Sequence, residues 1–83
     1  MKVKKIIKKL GEIQEVRIFS NDGYLLESKM AIGLLKQYPS NPYIFKLLNA
    51  KIVFIKPTRL TDIIVVDIYT DLENKNFNGS KEK

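Results

Sequence analysis

The sequence predicts a small α+β domain. A sheet of about four antiparallel strands packs against an amphipathic N-terminal helix, in the order α-β-β-α-β-β. Three observations carry this. Lys51–Thr70 holds two strongly apolar runs, KIVFI and IIVVDIY, joined by a short connection. Glu15–Ser28 holds two shorter runs about Asn21-Asp22-Gly23. Val3–Ile13 places Val3, Ile6, Ile7, Leu10 and Ile13 at the i, i+3, i+4, i+7 spacing of one helix face.

Along the N-terminal helix, Lys2, Lys4, Lys5, Lys8 and Lys9 fill the remaining circumference, and Gly11 sits where a C-terminal cap belongs. The lysines oppose the helix dipole at its start, so they are not placed to stabilise the helix. EVRIFS then alternates, with Val16 and Ile18 on one side and Arg17 and Phe19 on the other. Asp22-Gly23 is a hairpin signal, because both residues tolerate positive φ. YLLES is the returning strand. Ser28–Tyr38 reads as a second helix with Ser28 as N-cap, although the strand can also run on through Lys29–Ala31. Pro39-Ser40-Asn41-Pro42 ends it, and Tyr43–Leu48 has short helical character, with Asn49 as a left-handed stop.

In the main hairpin, Pro57 lacks an N–H and is expected to end the first strand. Ile52 and Phe54 are expected to share a face, and Val53 and Ile55 the other. In the second strand Ile64, Val66 and Ile68 oppose Ile63, Val65, Asp67 and Tyr69. Both faces are therefore apolar, and both call for a cover. The plainest arrangement wedges the sheet between two helices of the chain itself. The expected core is Ile6, Ile7, Leu10, Val16, Ile18, Leu26, Leu34, Leu35, Val53, Phe54, Ile64, Val66 and Ile68. Leu72–Lys83, LENKNFNGSKEK, has the composition of a disordered tail, which leaves residues 1–71 as the domain.

Composition narrows the chemistry. The 83 residues include no cysteine and no histidine. That removes disulfides, thiolate nucleophiles, the commonest metal ligand and the usual general base near neutral pH. The four glycines are dispersed and form no phosphate-binding loop. Asp62 and Asp67 lie on opposite strand faces. No catalytic residue, metal site or cofactor is expected, and the chain reads as a non-enzyme. No apolar run is long enough to span a membrane. Lysines interrupt MKVKKIIKKL before any signal sequence forms, so a cytoplasmic location is expected.

The net charge is +6, carried by 13 lysines and only two arginines, Arg17 and Arg59. Lysine is a hydrated point charge, whereas arginine supplies the fork that reads guanine edges. Any nucleic-acid binding should therefore be non-specific. Lys4, Lys5, Lys8 and Lys9 are the candidate contacts for phosphate or an acidic partner, set against the plainer reading of a solvated face. Tyr43, Phe45 and Arg59 are candidate protein contacts. For Pro42, Tyr43 and Phe45, a plug at one end of the core is the favoured alternative, since aromatics mainly bury area.

The segments MKVKKIIKKLGE, VRIFSNDGYLLES, LLNAKIVFIKP and DIIVVDI, over about residues 1–70, resemble small accessory proteins of phages and prophages of low-GC Gram-positive bacteria. The resemblance implies a non-enzymatic binding module that modulates or blocks a host protein or a defence complex. It supplies no catalytic residues. The partners expected are a host protein, a second copy of the chain, or nucleic acid bound without sequence preference.

Overall fold

The computed structural model describes residues 1–73. Its elements are α1 (Val3–Ile7), β1 (Glu15–Phe19), β2 (Leu25–Met30), α2 (Ala31–Gln37), α3 (Pro42–Leu48), β3 (Ile52–Leu60) and β4 (Ile63–Thr70). The α+β class and the four strands are as expected. The sheet, however, is mixed. Its order is β2-β1-β4-β3, and the two central strands, β1 and β4, run parallel. The cause is the crossover. After the β1–β2 hairpin, α2 and α3 carry the chain to the opposite edge, where β3 begins. The β3–β4 hairpin then returns beside β1 in the same direction. A run apolar at all but one position, such as IIVVDIY, suits a strand flanked on both sides.

The N-terminal helix stops at Ile7, not Ile13. Lys4/Lys8 and Lys5/Lys9 are like-charge pairs one turn apart, which disfavour continuation. The ensuing turns tighten: the Lys9 and Leu10 N–H groups donate to Ile6 and Ile7 carbonyls. Ile13 is left 80 % exposed. Ser28 is not a cap, because β2 runs through Met30. The first free N–H groups of α2, on Ala31 and Ile32, donate instead to the carbonyls of Gln14 and Glu12. The Asn41 side chain caps α3 by accepting from Tyr43 and Ile44 N–H, with Pro42 at the first helical position. Asn49 ends α3 at φ −94°, outside the left-handed region.

All three helices lie on one face. Val3 and Ile7 of α1, Ala31 and Leu34 of α2, and Ile44, Leu47 and Leu48 of α3 form a single cluster with Val16, Ile18, Leu26 and Ile68. Ile6, Leu10, Leu35 and Val66 pack against it, as does Leu72. The expectation of a sheet wedged between two helices is thus corrected. Residues 74–83 of the expected tail lie outside the described residues.

Three members of the expected core, Val53, Phe54 and Ile64, are half or more exposed. A bulge explains two of them. Ile52 pairs with Thr70 but Phe54 with Tyr69, so Val53 is the extra residue and Ile52 and Phe54 point to opposite faces. Ile64 lies on the helix-side face, near the tip of the hairpin. Missing from the expected core were Val3, Ala31, Ile44, Leu47, Leu48, Ala50 and Val65, all buried.

Nor does Pro57 end β3. The ladder passes it without a break, paired to Val66. Its nitrogen must then face the free side of an edge strand, where no N–H is needed. Proline there also blocks addition of a further strand. The turn is Thr61-Asp62, with Thr61 at φ 51°. A β-branched residue is strained in that region.

Two outcomes follow. Thr61→Gly should raise unfolding stability by about 0.5–1 kcal/mol in urea titration, because relief of strain exceeds the added chain entropy. Pro57→Val should leave the monomer folded but introduce concentration-dependent self-association, read by sedimentation or light scattering.

Candidate functional site: the open sheet face

The odd-numbered positions of β1 and β4 and, past the bulge, the even-numbered positions of β3 from Phe54 onward point away from the helices. Registration aligns them in rows. One row is Phe54, Tyr69, Phe19 and Leu25. The next is Lys56, Asp67, Arg17 and Ser28. Among the described residues, no helix covers either.

The aromatic row is a stack. Phe54 and Tyr69 ring centroids lie 4.4 Å apart, and Tyr69 and Phe19 4.6 Å, with planes within 10°. The rings lean on one another, so their faces are mostly used and their edges point outward. Phe54 is 50 % exposed. Leu25, Met30, Leu60 and Ile63 extend the apolar surface on the same side, all of them exposed.

At the centre sits an ion pair. Arg17 Nε donates to Asp67 Oδ1 at 2.7 Å and Nη2 to Oδ2 at 2.8 Å. Thr58 Oγ1 also donates to Oδ2 at 2.8 Å. The Asp67 side chain is 2 % exposed, the Arg17 side chain 25 %. Three charge-assisted hydrogen bonds compensate removal of the carboxylate from water. The Arg17 guanidinium holds the Asp67 carboxyl below its ordinary value, with Thr58 helping and burial opposing. The pair ties β1 to β4, and Thr58 brings in β3. Beside it, Val65 is fully buried yet stands outside the helix-side cluster.

The expected site residues fall elsewhere. Tyr43 is partly buried, and its hydroxyl donates to the Leu26 carbonyl; burial raises its pKa. It serves as a plug between α3 and β2. Phe45 is half exposed on α3, stacked on Tyr38. Arg59 is exposed on β3 near the hairpin tip, paired to Ile64. Lys5, Lys8 and Lys9 are exposed, whereas Lys4 Nζ donates to the Tyr38 hydroxyl at 3.0 Å. The structure does not bring Tyr43, Phe45 and Arg59 together. It does bring Lys4, Tyr38 and Phe45 together. Outside the expected site residues lie Arg17 and Asp67 and the row Phe54, Tyr69, Phe19 and Leu25. For the charges a signal is present in the sequence: two opposite charges at inner positions of apolar strands.

Among the described residues, no group of His, Cys, Asp or Glu is placed to hold a metal ion, and no helix is long and apolar enough to cross a membrane. The chain matches no protein-family model, no curated protein and no solved structure.

Removing one partner of a buried pair strands the other charge. Arg17→Ala should therefore cost about 3 kcal/mol in denaturant unfolding. Glu27→Ala, which loses the more exposed pair with Lys29 (3.6 Å), should cost under about 1 kcal/mol. Because the folded pKa of Asp67 lies below its ordinary 3.8, the unfolded chain binds its proton first as pH falls. The contribution of Asp67 is complete above about pH 5 and fades as pH drops through 3.8 toward the lowered value. Unfolding curves for Asp67→Asn should accordingly be less stable at neutral pH and flatter with acid than the parent.

Proposed function

We propose that this protein is a small non-catalytic binding module, of the phage accessory type, that docks an apolar surface of a host protein on its open sheet face. The observation that carries the reading is the row Phe54, Tyr69, Phe19 and Leu25 standing on a face that none of the helices covers. Several features favour a protein as occupant. The rings are stacked against each other, so bases cannot stack between them; outward edges suit apolar side chains. The central Arg17–Asp67 pair is neutral as a unit and internally satisfied, so the face carries little charge to attract a polyanion. Pro57 guards the β3 edge, which favours contact through the face over extension of the sheet. Large apolar side chains ringed by polar ones are the pattern of interaction surfaces.

The test compares the parent with Phe54→Glu, a change at a half-exposed edge position that should leave the fold intact. Tagged protein is incubated with nuclease-treated lysate of a low-GC Gram-positive host. The reading expects one dominant protein on the parent, lost on Phe54→Glu and kept when Lys4, Lys5, Lys8 and Lys9 are changed to Glu. Capture that ignores Phe54→Glu would overturn it. So would a dimer in light scattering that Phe54→Glu dissolves, since the occupant would then be a second copy.

A further inference from the structure

On the opposite side of the molecule, the helices gather lysines around an aromatic pair. The gathering begins with backbone. Val3 N–H donates to the Ala50 carbonyl at 3.0 Å and Ile52 N–H to the Met1 carbonyl at 2.9 Å, so Lys2 and Lys51 face each other in an isolated bridge. This pins the start of α1 beside the start of β3. Two clefts result. One, of about 490 Å³, is lined by Met1, Lys2, Lys4, Lys5 and Lys8. The other, of about 670 Å³, is lined by Phe45, Lys46, Asn49, Ala50, Lys51, Asp71 and Leu72. Residues distant in sequence thus bring six lysines to one surface.

The aromatic pair joins the two clefts. Tyr38 and Phe45 stack at 5.3 Å with planes within 7°. Lys4 Nζ bonds the Tyr38 hydroxyl and lies 5.3 Å from its ring centroid. With the hydrogen bond only 3.0 Å long, that separation puts the ammonium out beyond the hydroxyl, not above the ring. Asn49 Nδ2 reaches the Tyr38 hydroxyl at 3.4 Å and the Phe45 carbonyl at 2.9 Å. The Tyr38 hydroxyl is held below its ordinary pKa chiefly by Lys4, then by Asn49. Phe45 remains half exposed at the wall of the second cleft.

Lys2, Lys4, Lys5 and Lys8 make no ion pair among the described residues. Four ammonium groups held near one another without counter-charge repel. A polyanion relieves that repulsion. An exposed ring beside the cations adds a stacking surface, which an unpaired base can use and a base inside a duplex cannot. Lysine in place of arginine gives phosphate attraction without base-edge reading.

We infer that the surface of Lys2, Lys4, Lys5 and Lys8, continued by Phe45 and Lys51, binds single-stranded nucleic acid without sequence preference. Phosphates lie along the lysines, and a base stacks on Phe45. This inference does not rest on the protein-docking reading, since the two surfaces lie on opposite sides of the sheet.

The test titrates the full chain against a labelled oligothymidylate by fluorescence anisotropy, between about 50 and 200 mM salt. With the four lysines of the first cleft engaged, log K should fall against log salt with a slope of about −3. Replacing Lys4, Lys5 and Lys8 by Gln should reduce that slope by about 2. Phe45→Ala should weaken binding about tenfold at every salt concentration with the slope unchanged, and Phe45→Tyr should restore it. Circular dichroism establishes that each variant is folded, and single Lys5→Gln and Lys8→Gln changes, both at exposed positions, serve if the triple variant is not. Absence of binding at the lowest salt would overturn the assignment. So would equal or tighter binding of a duplex of the same length, or affinity indifferent to Phe45→Ala.

Discussion

The parallel pairing of β1 with β4 is the constraint on which the rest of the molecule depends. It joins two hairpins that would otherwise be separate, and a lone hairpin is marginal in water. Its register sets Arg17 beside Asp67 and Phe19 beside Tyr69 on one face, and Val16 beside Val66 and Ile18 beside Ile68 on the other. The first face receives an ion pair and an aromatic stack. The second receives the helices. A slip of one residue would move every one of these groups to the wrong side. The two-pronged bond from Arg17 to Asp67, with Thr58 as third donor, specifies register in a way that apolar contacts alone cannot.

The three described helices gather on one face because each is short. Three helices of five to seven residues are too short to be stable alone, and they survive by pooling apolar side chains in one cluster. The exposed face is stabilised internally instead, by stacking across strands and by a satisfied ion pair. The outcome is a molecule with two unlike sides. One is apolar and nearly neutral; the other is cationic, with an aromatic ring at its centre.

Much of this was legible in the sequence, and the exceptions have physical causes. Alternation in β1 and β4 gave their faces correctly, because neither strand is interrupted there. In β3 the same rule failed at Val53, since nothing in KIVFI marks a bulge. Pro57 reads as a strand end in the sequence because its cost depends on whether the strand is an edge, which is a tertiary property. The parallel pairing was hidden for a similar reason: it is decided by a crossover of two helices, and strand composition does not record it. The lysines of α1 were visible as a face, but their meeting with Tyr38 and Phe45 requires contacts spanning 34 residues. Arg17 and Asp67, opposite charges inside apolar strands, are the sequence mark of the pairing of β1 with β4.

The most direct measurement is an isotope-edited nuclear Overhauser spectrum of the protein in solution. The account predicts cross-peaks linking the rings of Phe19, Tyr69 and Phe54, strand contacts in the parallel register of Arg17 with Asp67, and none from those rings to methyls of Leu34, Ile44 or Leu48. Cross-peaks from Tyr69 or Phe54 to the helical methyls, or an antiparallel pattern between β1 and β4, would contradict it.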